Sequence, residues 1–287
     1  MSLSVLFDEL RLQREIRLYR YRLSELAKAL DVHGEHLIGP GDIKVDGRKY
    51  SQCNVWGSGW SVKHSILSDR VGENTYDIGF GFSCLNNVKY DLYFIENASP
   101  DMRELVFAQK SALYKFVVRH DCPIILKNLW QEKNDIDYAA TAYEGLPILF
   151  GRDLIIPHKL NTKSSYRRYS KVLTQHDDTY FRQACSTVLT AIIFAVNKGF
   201  TRIVVHGIDF GGGYFFDDDA SVPSDVIPPV VSDVYDSSWR KKDARHPTGD
   251  CLKMFLFSLK QTLAERGITL LAGVKESPSS EVLGVDQ

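Results

Sequence analysis

The chain has 287 residues and is close to neutral, with 35 lysine and arginine residues against 36 aspartate and glutamate residues. This length allows one large α/β domain or two small ones, and the hydrophobic content of 44% is enough for a sizeable core. The neutral balance argues against a nucleic-acid binder, no apolar run reaches the roughly 18 residues of a membrane span, and five separated cysteines argue against a zinc knuckle or a disulfide framework.

The first predicted element is a helix over residues 5–30. Six apolar side chains recur at spacings of three and four, and therefore share one stripe: Leu12, Ile16, Tyr19, Leu23, Leu26 and Leu30. Five arginines lie between them: Arg11, Arg14, Arg17, Arg20 and Arg22. We expect the stripe to pack on its own domain or on a second copy of the chain. The basic face leaves open a peripheral contact with an anionic membrane surface.

Residues 1–48 are interpreted as an N-terminal helical extension ahead of the main domain. The start, Met1–Ser4, has neither a basic n-region nor a long apolar segment, so we expect no signal peptide. We therefore expect a cytoplasmic protein with reduced thiols. Peripheral attachment at the inner membrane surface is the open alternative.

Strand-like and helix-like segments alternate after a turn-rich connector. Strands are predicted at 52–56, 76–82, 91–95, 122–128, 144–151, 202–208 and 268–273. Helices are predicted at 101–119, 183–198 and 250–266. This alternation predicts a single doubly wound, mostly parallel, Rossmann-like α/β domain over residues 49–287. The polar segment 151–182 lacks clear periodicity and is interpreted as a lid.

In such sheets ligands bind outside the carboxyl ends of the strands. The first strand of the domain ends in Gly57-Ser58-Gly59-Trp60-Ser61, where paired glycines would let backbone N–H groups approach a ligand. A plain tight turn is the alternative. Asn97, after the strand at 91–95, offers a hydrogen-bond donor and an acceptor, although by sequence alone we favour a helix N-cap at Asn97 or Ser99.

The strand at 202–208 runs into the second candidate region. Asp209 ends it, the glycines from Gly211 to Gly213 follow, and Tyr214 comes next. The three aspartates at 217–219 suggest a cation site, but we favour a solvated loop. Further on, His246 precedes a helix, and with a reference pKa of about 6.5 it is either a general base or an ordinary loop histidine.

Taken in order, these places resemble glycosyltransferase family 42, the bacterial sialyltransferases that decorate lipooligosaccharide. The family's glycine turn after the first strand is similar to Gly57–Val62, and its Asn-Pro-Ser is similar to Asn97–Ser99. Its Gly-Ile-Asp-Phe strand end matches Gly207–Phe210. Its tyrosine before a Phe-Asp resembles Tyr214, and its histidine ahead of a helix-opening aspartate resembles His246.

The resemblance covers roughly residues 52–287 and implies a variant GT-A fold. It also implies a CMP-activated nonulosonic acid as donor, a glycan of the bacterial surface as acceptor, and no cofactor or metal. His246 would be the general base of an inverting displacement, and Tyr214 would serve the leaving phosphate. The implied substrate- and nucleotide-binding residues are Gly57, Ser58, Gly59, Ser61, Asn97, Asp209, Gly211 and Arg182.

The sequence departs from the family at three of these positions. Ser58 stands where the family has asparagine, Gly211 stands where it has a second tyrosine, and Arg182 matches only loosely the family's arginine before the buried helix. Phosphate handling by Tyr166–Tyr169 in the lid is therefore left open. So are a transferase that uses another nucleotide sugar and a non-catalytic scaffold. A nicotinamide-dependent oxidoreductase is disfavoured because the third glycine of its fingerprint is missing.

Overall fold

The computed structural model describes residues 3–32, 36–66, 74–86, 88–96, 109–110, 112–114, 122–127, 143, 145–155, 163–211, 213–216 and 249–285. The strands in these ranges are β1 (Leu37–Ile38), β2 (Gln52–Trp56), β3 (Thr75–Phe80), β4 (Leu92–Glu96), β5 (Ile124–Lys127), β6 (Ile148–Gly151), β7 (Asp153–Ile155), β8 (Phe181–Gln183), β9 (Arg202–His206) and β10 (Thr269–Ala272). The helices with described bounds are α1 (Leu3–Val32), α2 (Val62–Ile66), α3 (Lys163–Leu173), α4 (Thr187–Asn197), α5 (Gly249–Ala264) and α6 (Ser280–Leu283). Residues 109–110 and 112–114, within the helix predicted at 101–119, are helical as well.

Eight of the strands form one parallel sheet in the order β1-β6-β5-β4-β3-β2-β9-β10, and β7 and β8 pair as a small second sheet. From β2 the chain proceeds outward through β3, β4, β5 and β6, and β9 then returns to the opposite side of β2. The predicted doubly wound, mostly parallel α/β sheet is therefore confirmed.

Both faces of the sheet are covered, as strands of nearly continuous apolar sequence require. In β5, Ile125 faces one core and its neighbours Ile124 and Leu126 face the other, which is the two-residue alternation of a strand. Helices α4 and α5 belong to the first core. The second core includes the C-terminal half of α1 and the aromatic pair Phe215 and Phe216.

Helix α4 begins four residues later than the 183–198 segment predicted from periodicity. The side chain of Ser186 accepts a hydrogen bond from the N–H of Val188, which fixes the start of the helix, and Gln183 belongs to β8 instead. The helix ends as predicted, since Gly199 adopts a φ of 85° just beyond the C-cap.

Helix α1 packs its apolar stripe on its own domain. Leu12 is buried in the first core, and Leu23, Leu26 and Leu30 are buried in the second. Strand β1, which follows α1, pairs in parallel with β6 at the edge of the main sheet. The division at residue 48 stays a prediction. No helix in the described ranges is long and apolar enough to span a bilayer.

The segment proposed as a lid contains β7, α3 and β8 in its described part. Tyr169 and Leu173 of α3 are buried in the first core, and the ring of Tyr166 meets Phe255 of α5 edge-on at 4.9 Å between centroids. This part of the segment is thus packed against the domain, and a lid function stays a prediction.

Candidate functional site

The sheet order creates a crevice between the carboxyl ends of β2 and β9. The chain leaves these neighbouring strands toward opposite sides of the sheet, so their ends form the topological switch point. Ligands of open α/β sheets bind at such points. The turn Gly57–Ser61 follows β2 and the segment Gly207–Gly211 follows β9, so the two regions singled out from the sequence meet here.

The glycines of the first turn allow the two strand ends to approach each other closely. The N–H of Gly57 donates to the carbonyl of His206 at 2.8 Å, and the N–H of Gly59 donates to the carbonyl of Gly207 at 3.0 Å. A Cβ added at Gly59 would lie 2.4 Å from Oδ2 of Asp209. These two N–H groups are therefore paired within the chain, and what the glycines provide is the close contact between the loops.

Asp209 connects the two loops and a third one. Its carboxylate accepts from the N–H of Ser61 at 2.8 Å, from the Ser61 hydroxyl at 2.5 Å and from the Ser277 hydroxyl at 3.0 Å. Burial raises the pKa of Asp209, and the hydrogen bonds from both serines oppose that rise. Asp209 and Ser61 thus fix the wall of the crevice, while their direct contact with a nucleotide stays a prediction.

Tyr214 lies against the glycine turn. Its backbone forms an isolated antiparallel bridge with Gly59, and the N–H of Phe215 donates to the carbonyl of Ser58 at 3.1 Å. The half-buried Tyr214 ring stacks on Phe216 with 5.0 Å between centroids and 7° between planes. The structure therefore brings together two sequence motifs that are more than 150 residues apart, and fixes the backbone of Tyr214 beside the glycine turn.

Ser58 and Gly211 are half-buried members of the same loops. A Cβ added at Gly81, after β3, would lie 3.8 Å from the Ser58 hydroxyl oxygen, so this side chain points toward the neighbouring strand end. Gly211 has a φ of 145°, a conformation that favours glycine over the tyrosine found at this position in the family it resembles.

Arg182 holds the end of α3 to β8. Its Nε donates to Asp177 at 3.0 Å, and Nη1 donates to the carbonyls of Val172 and Gln175. The guanidinium side chain is only 12% exposed, and its closest contact with Asp177 is an ion pair at 2.9 Å. Binding of the CMP-sugar donor by Arg182 stays a prediction, and Arg182 would have to make that contact in addition to these.

Asn97, the aspartates at 217–219 and His246 lie outside the described residues. Helix α5 nevertheless begins three residues after His246, and its first residue, Gly249, lies against the segment that follows β9. A Cβ added there would be 2.5 Å from the carbonyl oxygen of Phe210. In the described part of the chain, no group of three or more His, Cys, Asp or Glu side chains could hold a metal ion.

A charged cluster at the ends of β4 and β5 was not anticipated from the sequence. The Lys127 side chain is completely buried, and its Nζ donates to Glu96 at 2.9 Å and to the side chain of Gln183. The Thr187 hydroxyl, in the first turn of α4, also donates to Glu96. The cluster joins two strand ends to β8 and α4 at the carboxyl edge of the sheet.

A second buried polar group lies under the crevice. The His206 ring stacks on Trp56 with 3.9 Å between centroids and 11° between planes. Its Nε2 lies 3.4 Å from Oδ1 of Asn54, whereas Nδ1 has no hydrogen-bond partner among the described residues. Asp77 accepts from Nε1 of Trp56 at 2.6 Å and from Nδ2 of Asn54 at 3.0 Å. This network orients the strands whose ends form the crevice.

Burial lowers the pKa of His206 to about 3. In the unfolded chain a histidine titrates near pH 6.5, so below that pH the unfolded state binds a proton that the folded state does not. We expect the unfolding free energy to fall as pH drops from about 6.5 toward 3, by up to about 1.4 kcal/mol per pH unit from this group alone.

The variant H206Q isolates this contribution. The substitution also changes the unfolding free energy by an amount that does not depend on pH, and this amount cancels when only the pH dependence of the two proteins is compared. Urea unfolding of both proteins should give parallel curves above about pH 7.5 and a steeper loss for the wild type down to about pH 4.5. Parallel curves over the whole range would contradict a neutral, buried His206.

Among solved structures, the chain is similar to the monofunctional alpha-2,3-sialyltransferase Cst-I from Campylobacter jejuni. The TM-score is 0.52, with 11% identity, over 86% of this chain and 84% of that one. It is also similar to the sialyltransferase CstII from Campylobacter jejuni in complex with CMP-3FNeuAc, with a TM-score of 0.46, 13% identity, and 82% and 86% of the two chains covered. No family model and no curated protein matches this sequence. The likeness to Cst-I shows a shared fold.

Proposed function

We propose that the chain is a glycosyltransferase that moves a nonulosonic acid from a CMP-sugar donor to a glycan acceptor of the bacterial surface. The observation that carries this proposal is the convergence at the switch point. The glycine turn after β2, the end of β9, Tyr214 and the start of α5 all meet where a nucleotide binds in this type of sheet. The fold shared with the sialyltransferase Cst-I supports a sugar transferase of this type, and the resemblance to family 42 implies CMP as the nucleotide.

Departure of CMP breaks the bond between the anomeric carbon and a phosphate oxygen. Positive charge develops on the sugar ring and negative charge on a single phosphate, which a phenol O–H, arginines and backbone N–H groups can stabilise without a diphosphate-binding cation. Tyr214 is proposed to donate to this phosphate, since its backbone is fixed to Gly59 and its ring is braced by Phe216. We propose on this chemistry that the transfer is metal-independent.

The acceptor hydroxyl must lose a proton as it attacks the anomeric carbon. We propose His246 as the general base, because a neutral imidazole accepts a proton near physiological pH and α5 begins three residues later, against the segment that follows β9. Direct displacement by the acceptor from the face opposite CMP inverts the anomeric configuration. Ser58 and Asn97 are proposed to contact the nucleotide.

Thermal unfolding with CMP, UMP, UDP, GDP and NAD, each with and without EDTA, tests the nucleotide class. A ligand that binds only the native state stabilises it by RT ln(1 + [L]/Kd), about 2.7 kcal/mol at a hundredfold excess over Kd. We expect stabilisation that is selective for CMP and unchanged by EDTA. Selective stabilisation by another nucleotide would indicate a different transferase class, and no stabilisation by any of them would favour a scaffold.

A further inference from the structure

The outward side of α1 exposes an unusual concentration of apolar side chains. The described residues include eight exposed large hydrophobic side chains, and five of them lie on α1: Leu6, Phe7, Leu10, Leu18 and Tyr21. Phe7, Leu10 and Tyr21 are 66%, 59% and 67% exposed. The helix therefore has a second apolar side in addition to the stripe that packs on the domain.

The two sides point in opposite directions. At 3.6 residues per turn, Tyr21 projects about 180° away from the buried Leu30 around the helix axis. Phe7, Leu10, Arg14, Arg17 and Tyr21 follow one another at spacings of three and four, which places them on one line along the helix. We call these five residues the outer stripe. Among the described residues, no element covers its exposed side chains.

The outer stripe is also strongly cationic. Arg14 and Arg17 interrupt its apolar side chains, and Arg11 and Arg20 beside it are exposed as well. Between residues 10 and 24 the sequence has five arginines and one acidic residue, Glu15, while Asp8, Glu9 and Glu25 flank this stretch. A surface that mixes aromatic and aliphatic side chains with arginines suits an interface that is apolar at depth and anionic at its surface.

We infer that the outer stripe of α1 docks on the surface of an anionic phospholipid bilayer, with the helix lying parallel to the membrane plane. Phe7 and Leu10 enter the boundary between headgroups and acyl chains, Tyr21 lies at headgroup level, and Arg14 and Arg17 pair with lipid phosphates. The opposite stripe, with Leu12, Leu23, Leu26 and Leu30, stays packed on the domain, so docking requires no rearrangement of the core. This inference does not depend on the proposed transfer activity.

A second copy of the chain fits the outer stripe less well. A twofold interface places the same patch on both partners, so the arginines at the centre of one stripe would face those of the other. Like charges at the centre of an interface oppose association. Lipid phosphates provide the complementary charge instead.

Co-sedimentation of the full chain with vesicles tests the inference. We expect binding to vesicles of equal parts phosphatidylcholine and phosphatidylglycerol and far weaker binding to phosphatidylcholine alone. The double variant R14Q/R17Q should bind the anionic vesicles about 25-fold more weakly, since each arginine near such a surface contributes about 1 kcal/mol. F7S/L10S should lose about 10-fold or more. Added salt should weaken wild-type binding.

Matched controls separate this surface from nonspecific adhesion. F257S removes an exposed phenylalanine of α5, and K89Q/K275Q removes two exposed positive charges elsewhere, so both should bind like the wild type. All variants change exposed side chains and should retain the wild-type circular dichroism spectrum and Tm. Wild-type protein that stays in the supernatant, or α1 variants that bind like the controls, would overturn the inference. So would a wild-type dimer in sedimentation velocity that F7S/L10S converts to monomer, because the stripe would then be an interface between copies.

Discussion

The variant H246A is expected to lower the rate of transfer from the CMP-sugar donor by about 10²–10⁴-fold, the usual contribution of a positioned general base. The acceptor hydroxyl would then have to lose its proton to water during attack. Binding of CMP should be retained, because the proposed nucleotide contacts come from the segments after β2, β4 and β9 and do not include His246. The measurement is the initial rate at saturating donor, together with the thermal stabilisation that CMP produces.

The control for this variant is H176A. His176 lies in an exposed loop, with its side chain 64% exposed and 3.1 Å from Asp178, so its loss should leave the transfer rate unchanged. The dependence of kcat/KM on pH gives a second readout. Removal of the general base should abolish the acidic limb of this profile, whereas loss of a purely structural residue should leave its shape unchanged. An H246A protein that transfers at nearly the wild-type rate would exclude His246 as the base and leave the proposed nucleotide site standing.

The order of the main elements was predictable because buried parallel strands have a strong local signature. The run Ile203–Val205 is apolar, follows a helix with Gly199 just beyond its C-cap, and proved to lie in a central strand beside β2. The bounds of α4 were less predictable, since β8 continues into the segment that the periodicity assigned to the helix. Helix α3 was missed although Tyr166, Tyr169 and Leu173 recur at helical spacing, because polar residues dominate the composition around them.

The sequence placed two parts of the candidate site at strand ends, but it did not indicate how they contact one another. Motif order placed Tyr214 and the Gly57–Ser61 turn at strand ends, and the structure joins them through the bridge from Tyr214 to Gly59. The N–H groups of Gly57 and Gly59 are already hydrogen-bonded because β2 and β9 are neighbours in the sheet. No local sequence pattern encodes this strand order. The buried Lys127 was hidden for the same reason, since its partners come from β4 and β8.

The Lys127–Glu96 pair leads to an asymmetric prediction for stability. The Lys127 side chain is 0% exposed, whereas that of Glu96 is 45% exposed. In E96A the ammonium stays buried with Gln183 as its remaining described acceptor, and loss of one partner of a buried ion pair costs about 3–5 kcal/mol. In K127M a flexible apolar chain fills the same space and water can solvate the remaining carboxylate, so we expect a smaller cost of about 1–2 kcal/mol.

Urea unfolding at neutral pH measures both costs, with an unchanged m-value as the sign that only stability has changed. E265A is the matched control, because Glu265 pairs at the surface with Arg167 at 2.8 Å and with Lys171 at 3.5 Å, and all three side chains are about half exposed. Removal of such a surface pair should cost less than about 1 kcal/mol. If K127M were the more damaging variant, the side-chain packing of Lys127 rather than its buried charge would dominate. If E96A lowered the unfolding free energy no more than E265A, the Lys127 ammonium would have to be hydrated in the folded protein. The description of the cluster at the ends of β4 and β5 as closed to water would then be wrong.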